Sequence, residues 1–261
     1  MRLVGTRNER KRGAVHAPDP ETLLQEQIDY YQARAPEYDD WWLRTGRYEP
    51  DDEFGRRWEA GKRELDIALR LFAPAGDILD IAAGTGNLTA SLVAVEGVDR
   101  ITAIDTSDEA LAIARTKVAD ASQVTFLQAD VFDWRPPGQF DVVAFGFWLS
   151  HVPPRRFESF WQLVGEALRP GGRVFFTDNA IPVEQAASAA GRQTATPWSR
   201  TWLDRGVSVR TLTDGRQFHI VKRAWTPDEL EQQLAALGWS STVREHQGLF
   251  IHGEAVRQNA S

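Results

Sequence analysis

The run Ile78-Leu79-Asp80-Ile81-Ala82-Ala83-Gly84-Thr85-Gly86-Asn87-Leu88-Thr89 constrains this chain more than any other segment. Four residues of apolar strand character lead into a glycine turn, and a helix begins near Asn87. Gly84 and Gly86 carry no side chain, so a ligand can approach the turn closely and the backbone can take unusual dihedrals. A second apolar strand, Arg100 to Ile104, ends in Asp105. A carboxylate at that strand end can accept hydrogen bonds from the two hydroxyls of a ribose. The unit reads as strand, loop, helix and strand around a ribose-bearing cofactor.

The rest of the chain continues the alternation. Helix Ser107 to Ala119, strand Val124 to Ala129, strand Phe140 to Phe145, helix Arg155 to Leu168 and strand Arg173 to Thr177 follow in order. Helices between successive strands predict a parallel sheet covered on both faces. Strand Gln217 to Arg223 precedes a helix opened by Thr226-Pro227-Asp228-Glu229, and strands Ser240 to Glu245 and Phe250 to Val256 close the pattern. Upstream, Leu23, Leu24, Ile28 and Tyr31 have helical spacing. Pro36 is expected to interrupt it before Tyr38, Trp41 and Trp42 resume, and a further helix is expected from Phe54 to Phe72.

Bulk properties narrow the function. The 261 residues are 42% hydrophobic, enough for one sizeable core. The net charge of −7 argues against a large nucleic-acid footprint. The chain has no cysteine, which removes disulfides, thiolate metal sites and thiol nucleophiles. No apolar stretch reaches the length of a membrane span, and no secretion signal is evident, so a cytoplasmic protein is expected. His151, His219, His246 and His252 lack metal-ligand spacing, and no metal is expected.

Five elements, in order, resemble the class I S-adenosylmethionine-dependent methyltransferases. They are Asp80 through Gly86, Asp105, Ala129-Asp130-Val131, Phe140-Asp141-Val142-Val143, and Leu168-Arg169-Pro170-Gly171-Gly172. A nicotinamide site would want glycine or alanine where this chain has Thr89. The resemblance implies a Rossmann-like, seven-stranded, mostly parallel sheet whose last strand is antiparallel. It divides the chain into a flexible tail at 1–20, a helical cap at 21–72, a core at 73–178 and 216–257, and an insertion or lid at 179–215. The irregular stretch includes a short helix expected at 186–190 and a surface excursion around Pro197, Trp198 and Trp202.

The same resemblance implies S-adenosyl-L-methionine as cofactor and S-adenosyl-L-homocysteine as product. Asp80, Ala82, Gly84 and Gly86 would hold its methionine part and Asp105 its ribose. Thr106, Asp130 and Val131 would surround the adenine, under Phe132 or Trp134, and Phe145 would flank the cofactor. Tyr31, Tyr38, Trp42, Trp148, His151 and His219 are the acceptor-pocket candidates. His151 is the one candidate base, because neutral imidazole can take a proton near pH 7. The expected reaction is methylation of a small aromatic or apolar acceptor, oxygen favoured. RNA or protein methylation, or cofactor binding without turnover, are the alternatives. A homodimer or higher homo-oligomer is the candidate assembly.

Overall fold

The computed structural model describes residues 19–180 and 206–258. The tail at 1–18, the short helix expected at 186–190, and Pro197, Trp198 and Trp202 lie outside the described residues. Among the described residues, nine strands and six α-helices follow one another: α1 (Pro20–Leu43), α2 (Asp52–Phe72), β1 (Gly76–Ile81), α3 (Asn87–Val93), β2 (Val98–Asp105), α4 (Asp108–Lys117), β3 (Val124–Gln128), β4 (Phe140–Gly146), α5 (Phe157–Ala167), β5 (Leu168–Asn179), β6 (Val207–Thr211), β7 (Gln217–Val221), α6 (Pro227–Ala236), β8 (Trp239–His246) and β9 (Phe250–Arg257).

Seven strands form one sheet in the order β3-β2-β1-β4-β5-β9-β8. β1 to β5 pair in parallel, whereas β9 runs antiparallel to both β5 and β8. Because side chains alternate across a strand, neighbours in sequence enter different cores. Leu79, Val143 and Phe176 face α5 and α6 with Phe160, Trp161, Leu230 and Leu234. Ile78, Val142 and Phe175 face α2, where Leu69 and Phe72 cover them. Burial on both faces is why these strands read as nearly unbroken apolar runs.

Chain order reverses between β1 and β4. The two strands stay paired up to Ile81 and Phe145, and the connections leaving their carboxyl ends turn to opposite faces, which leaves the crevice where ligands bind in open α/β sheets. Register aligns Asp80 with Ala103 of β2 and Ala144 of β4, so the ends of all three strands reach the same edge. The opposite edge is tied by charge. Arg169 bonds both Asp77 (2.8 Å) and Asp141, and Arg100 also bonds Asp77. Asp141 and Arg169, both in motifs that carried the resemblance, thus fasten the starts of β1, β4 and β5 and lie at the edge away from the crevice.

α1 departs from the expected break. Pro36 lies inside one continuous helix, capped by Asp19, whose side chain accepts from the Glu21 and Thr22 amides. An internal proline costs about 3 kcal/mol, and α1 offsets it by packing along β7 and α4. β6, inside the stretch expected to be irregular, pairs with β7 as a separate two-stranded sheet.

Gly253 of β9 stands against the Phe176 ring, and a Cβ there would fall 2.0 Å from it. Phe176 is wholly buried and stacked on Phe145, so the ring has little room to yield. Gly253→Ala is expected to lower unfolding stability by about 1–3 kcal/mol, read as a lower urea midpoint with an unchanged m-value. A midpoint equal to wild type would mean that this contact relaxes freely.

Candidate active site

The glycine turn takes left-handed backbone at three residues: Ala82 (φ 53°), Gly84 (φ 56°) and Gly86 (φ 81°). At Gly84 the space where a Cβ would sit is open, with no atom nearer than 4.0 Å. At Gly86 the backbone instead meets Ala114 of α4, and a Cβ would lie 2.7 Å from it. The first glycine leaves room for a ligand, and the second lets α4 pack close.

Asp105 ends β2 directly below this turn. Its two carboxylate oxygens accept from the amides of Gly84 and Ser107, each at 2.8 Å. A carboxylate has about four lone-pair positions, so both oxygens keep capacity for a hydroxyl pair. Burial pushes its pKa up, and the two amide bonds oppose that shift. Asp80, unlike Asp105, is fully buried. One of its oxygens accepts from the Thr89 hydroxyl at 2.6 Å, and Oδ1 has no partner. Burial, with Asp105 adding to it and the Thr89 bond opposing, pushes its pKa up to about 7. A cationic amine brought to this carboxylate would satisfy the orphaned oxygen.

A cavity of about 310 Å³ runs along the crevice beneath α1. Ala82, Gly84, Asp105, Thr106, Asp130 and Val131 line one end, and Tyr31, Tyr38, Trp148 and His151 line the other. Phe132 joins the first group, between Trp148 (5.9 Å) and the Arg156 guanidinium (4.6 Å). Asp80 and Trp42 line a smaller neighbouring cavity of about 100 Å³, which shares Tyr38, Ala82 and Gly84 with the larger one. Four candidate residues line neither, and one of them, Trp134, packs part-buried against the core on the α5 face instead. Phe145 is wholly buried against Phe160, Trp161 and Phe176, and its neighbours Gly146 and Phe147 line the cavity instead. Gly86 packs on α4. His219 points to Glu26 of α1, with Nδ1 at 2.9 Å from the carboxylate.

The acceptor end is built around His151. The Val221 carbonyl can only accept, so Nδ1, 2.7 Å away, carries the proton. Nε2 is then an acceptor, 2.7 Å from the Tyr31 hydroxyl and 3.5 Å from Lys222 Nζ. Burial first, then the Lys222 charge, holds the imidazole well below its ordinary pKa of 6.5. Gln27 of α1 fixes the backbone on either side, donating to the His151 carbonyl and accepting from the Val221 amide. Lys222 donates to the Ser150 hydroxyl at 2.6 Å, and Asp178 accepts from the Ser150 amide at 2.7 Å.

Two contacts hold α1 over the crevice. Asp39 accepts from the Thr85 hydroxyl (2.7 Å), from Asn87 (3.2 Å) and from Lys117 (2.8 Å). At the far end Trp41 and Trp42 pack on Phe147, whose backbone lies at φ 56°. The sequence reading missed Gln27, Asp39, Thr85 and Lys222. Their signal is partnership across 46 to 194 positions, which no local pattern records.

A family model described as a methyltransferase domain matches residues 78–172. A solved structure titled as a DhpI–SAH complex is 34% identical, with a TM-score of 0.72, and covers 92% of this chain and 99% of its own. A second, titled as a DhpI–SAM–HEP complex, is 35% identical with a TM-score of 0.70 over 92% of this chain. The ubiquinone/menaquinone biosynthesis C-methyltransferase UbiE of Ectopseudomonas mendocina (strain ymp) is 31% identical over 125 residues, 46% of this chain. The chain spans about half the length of the curated relatives it matches. A relative this similar over nearly its whole length decides the class: the chain belongs to the class I S-adenosylmethionine-dependent methyltransferases. S-adenosylmethionine is accordingly its cofactor, and the open cradle at Gly84 and the orphaned oxygen of Asp80 fit it.

If Asp105 holds the ribose, Asp105→Ala should weaken S-adenosylhomocysteine binding by roughly 10- to 100-fold, since a hydrogen bond to a charged group contributes about 1.5–3 kcal/mol. Calorimetric titration reads this directly. Unchanged affinity would remove Asp105 from the site.

Proposed function

We propose that this chain transfers a methyl group from S-adenosylmethionine to an oxygen of a small acceptor with an apolar or aromatic body. The single cavity running from the glycine turn to Tyr31, Tyr38, Trp148 and His151 carries this reading. Small-ligand sites occupy about 300–1,000 Å³; this volume suits a cofactor and a compact acceptor, and α1 covers it where a polymer would need an open groove. Leu24, Ile28 and Trp148 offer the apolar wall, while Tyr31, Tyr38 and His151 offer the polar one. On this reading residues 21–72 serve as the cap, 73–178 and 216–257 as the core, and 179–215 as the insertion. Asp80, Ala82, Gly84, Gly86, Asp105, Thr106, Asp130 and Val131 belong to the cofactor end, Gly86 by shaping the turn. Among the described residues no helix is long and apolar enough to cross a membrane.

When bound, S-adenosylmethionine supplies an electrophilic methyl on a sulfonium. The chain's task is to aim an acceptor lone pair at it and exclude water. Asp105 and Asp130 would fix the adenosine, which leaves Gly146 and Phe147 beside the reacting atoms. His151 would accept a hydrogen bond at Nε2 and orient either the acceptor hydroxyl or Tyr31. Its service as a proton store is disfavoured, because an imidazolium would stand buried beside Lys222. The UbiE relative is named for carbon methylation. Oxygen is favoured here because hydrogen-bonding groups cluster where the reacting atom would be held.

Incubation with methyl-labelled cofactor and a library of small acceptors, with the product examined by NMR, tests this reading. An O-methyl resonance supports it, and a label on carbon or nitrogen would overturn the choice of atom.

His151→Ala should lower single-turnover methyl transfer at least tenfold while S-adenosylhomocysteine affinity stays within twofold, as expected for hydrogen-bond alignment by a positioned side chain. A histidine with a depressed pKa is neutral above that pKa, and the neutral form is the competent one. The wild-type rate should therefore stay flat from pH 7.5 down to the ordinary value of 6.5 and fall only below it. A rate that halves near pH 6.5 would contradict the burial and Lys222 argument.

A further inference from the structure

We propose that the smaller cavity, between α2 and the glycine turn, takes the amino-acid end of the cofactor, with Asp80 as partner of its ammonium and Lys62 of α2 as partner of its carboxylate. The proposal deepens the methyl-transfer reading and rests on it. The motifs that carried the resemblance contain Asp80, but none of them reaches α2.

The two cavities differ in size and in lining. The smaller has a volume of about 100 Å³, below the roughly 300 Å³ of a site that holds a whole small ligand. It suits one end of a molecule whose body lies elsewhere. Both cavities are lined by Tyr38, Ala82, Gly84, Thr85, Gly146 and Phe147, so they adjoin beside the glycine turn. Asp105 and Asp130 line only the larger one, whereas Asp80, Lys62 and Trp42 line only the smaller. A cofactor with its ribose at Asp105 has its nucleoside in the larger cavity, and its tail has the smaller one within reach across the shared wall.

The smaller cavity offers one charge of each sign to such a tail. Asp80 stands two residues along β1 from Ile78, so it faces the side that α2 covers. It is wholly buried; one oxygen accepts from Thr89, and among the described residues Oδ1 has no partner. A buried carboxylate oxygen without a donor is costly, and an ammonium supplies a charge-assisted one. Lys62 is the only lysine or arginine among the described residues that line this cavity. Its side chain is 18% exposed, with Nζ 5.1 Å from the Trp42 ring and 3.0 Å from Glu59, which is itself 49% exposed. An ammonium has three donors, and an ion pair open to solvent on one side contributes little, so Lys62 can serve a ligand carboxylate as well. Asp66 also lines the cavity, but Arg70 holds its carboxylate at 3.0 Å.

A buried anion lacking a donor and a single cation match a zwitterion better than a lone amine or a lone acid. With the zwitterion here and the ribose at Asp105, the sulfur between them falls at the wall that the cavities share, and the methyl is left to the larger one. Trp42, an acceptor-pocket candidate in the sequence, becomes a wall of the cofactor site instead.

Calorimetry on the full chain tests this with S-adenosylhomocysteine, its decarboxylated analogue, and methylthioadenosine, which lacks the whole amino-acid end. Wild type should bind the decarboxylated analogue at least tenfold more weakly than S-adenosylhomocysteine, as loss of a hydrogen bond between charged groups implies. Lys62→Met should weaken S-adenosylhomocysteine about tenfold and shrink the gap between the two ligands to about twofold, while methylthioadenosine stays within about twofold of wild type. Lys62→Arg should restore most of the gap. Methylthioadenosine binding controls for folding, and the wild-type comparison decides alone if Lys62→Met does not fold. Equal affinity of the wild type for the two ligands, or an undiminished gap in Lys62→Met, would overturn the proposal. Failure of the wild type to bind S-adenosylhomocysteine would instead count against the methyl-transfer reading.

Discussion

The hydrogen bond from the Gly84 amide to the Asp105 carboxylate ties the rest of the site together. It joins the turn after β1 to the end of β2, and the other oxygen of Asp105 fixes the first turn toward α4 through Ser107. The carboxylate is half-buried, so each amide bond counts for more than it would in open water. Sheet topology puts this junction beside the crevice at the carboxyl ends of β1 and β4, and the cap then only has to close one side. Asp39 does so by reaching Thr85, Asn87 and Lys117 at once.

The cap also explains why two polar clusters lie where an apolar core would be cheaper. Gln27 is buried with both ends of its amide satisfied by backbone, at the His151 carbonyl and the Val221 amide. Tyr31 occupies the free lone pair of His151. The imidazole therefore has a fixed tautomer before any acceptor arrives, which is the form that the proposed alignment role requires. Lys222, lowered to about 8 by burial, stays mostly cationic at pH 7 and reinforces the neutral state of His151.

Much of the frame was legible in the sequence, for a physical reason. Strands buried on both faces must be continuous apolar runs, and a turn that a ligand approaches must be glycine, so β1, β2, β4 and the glycine turn announced themselves. Asp105 was legible because its position at a strand end is set by local order. The cap was less so. Pro36 suggested a break, but tertiary packing carries α1 through it. Val207–Thr211 is short and polar, and only its partner β7 makes it a strand. Arg34 carried no sign that it would be buried, since α1 is covered by packing against β7, which lies far along the chain. Asp141 and Arg169 sat within the motifs that carried the resemblance, yet their place at the opposite sheet edge emerges only from strand register.

The central claim is that one cavity seats the cofactor at its glycine end and the acceptor under α1. A crystal structure of the protein with S-adenosylhomocysteine tests it most directly. The account predicts ribose hydroxyls on Asp105, adenine beside Asp130 and Phe132, and the sulfur opening toward Tyr31, Tyr38 and His151. A ribose held away from Asp105, or a sulfur opening onto an uncovered surface groove, would contradict it.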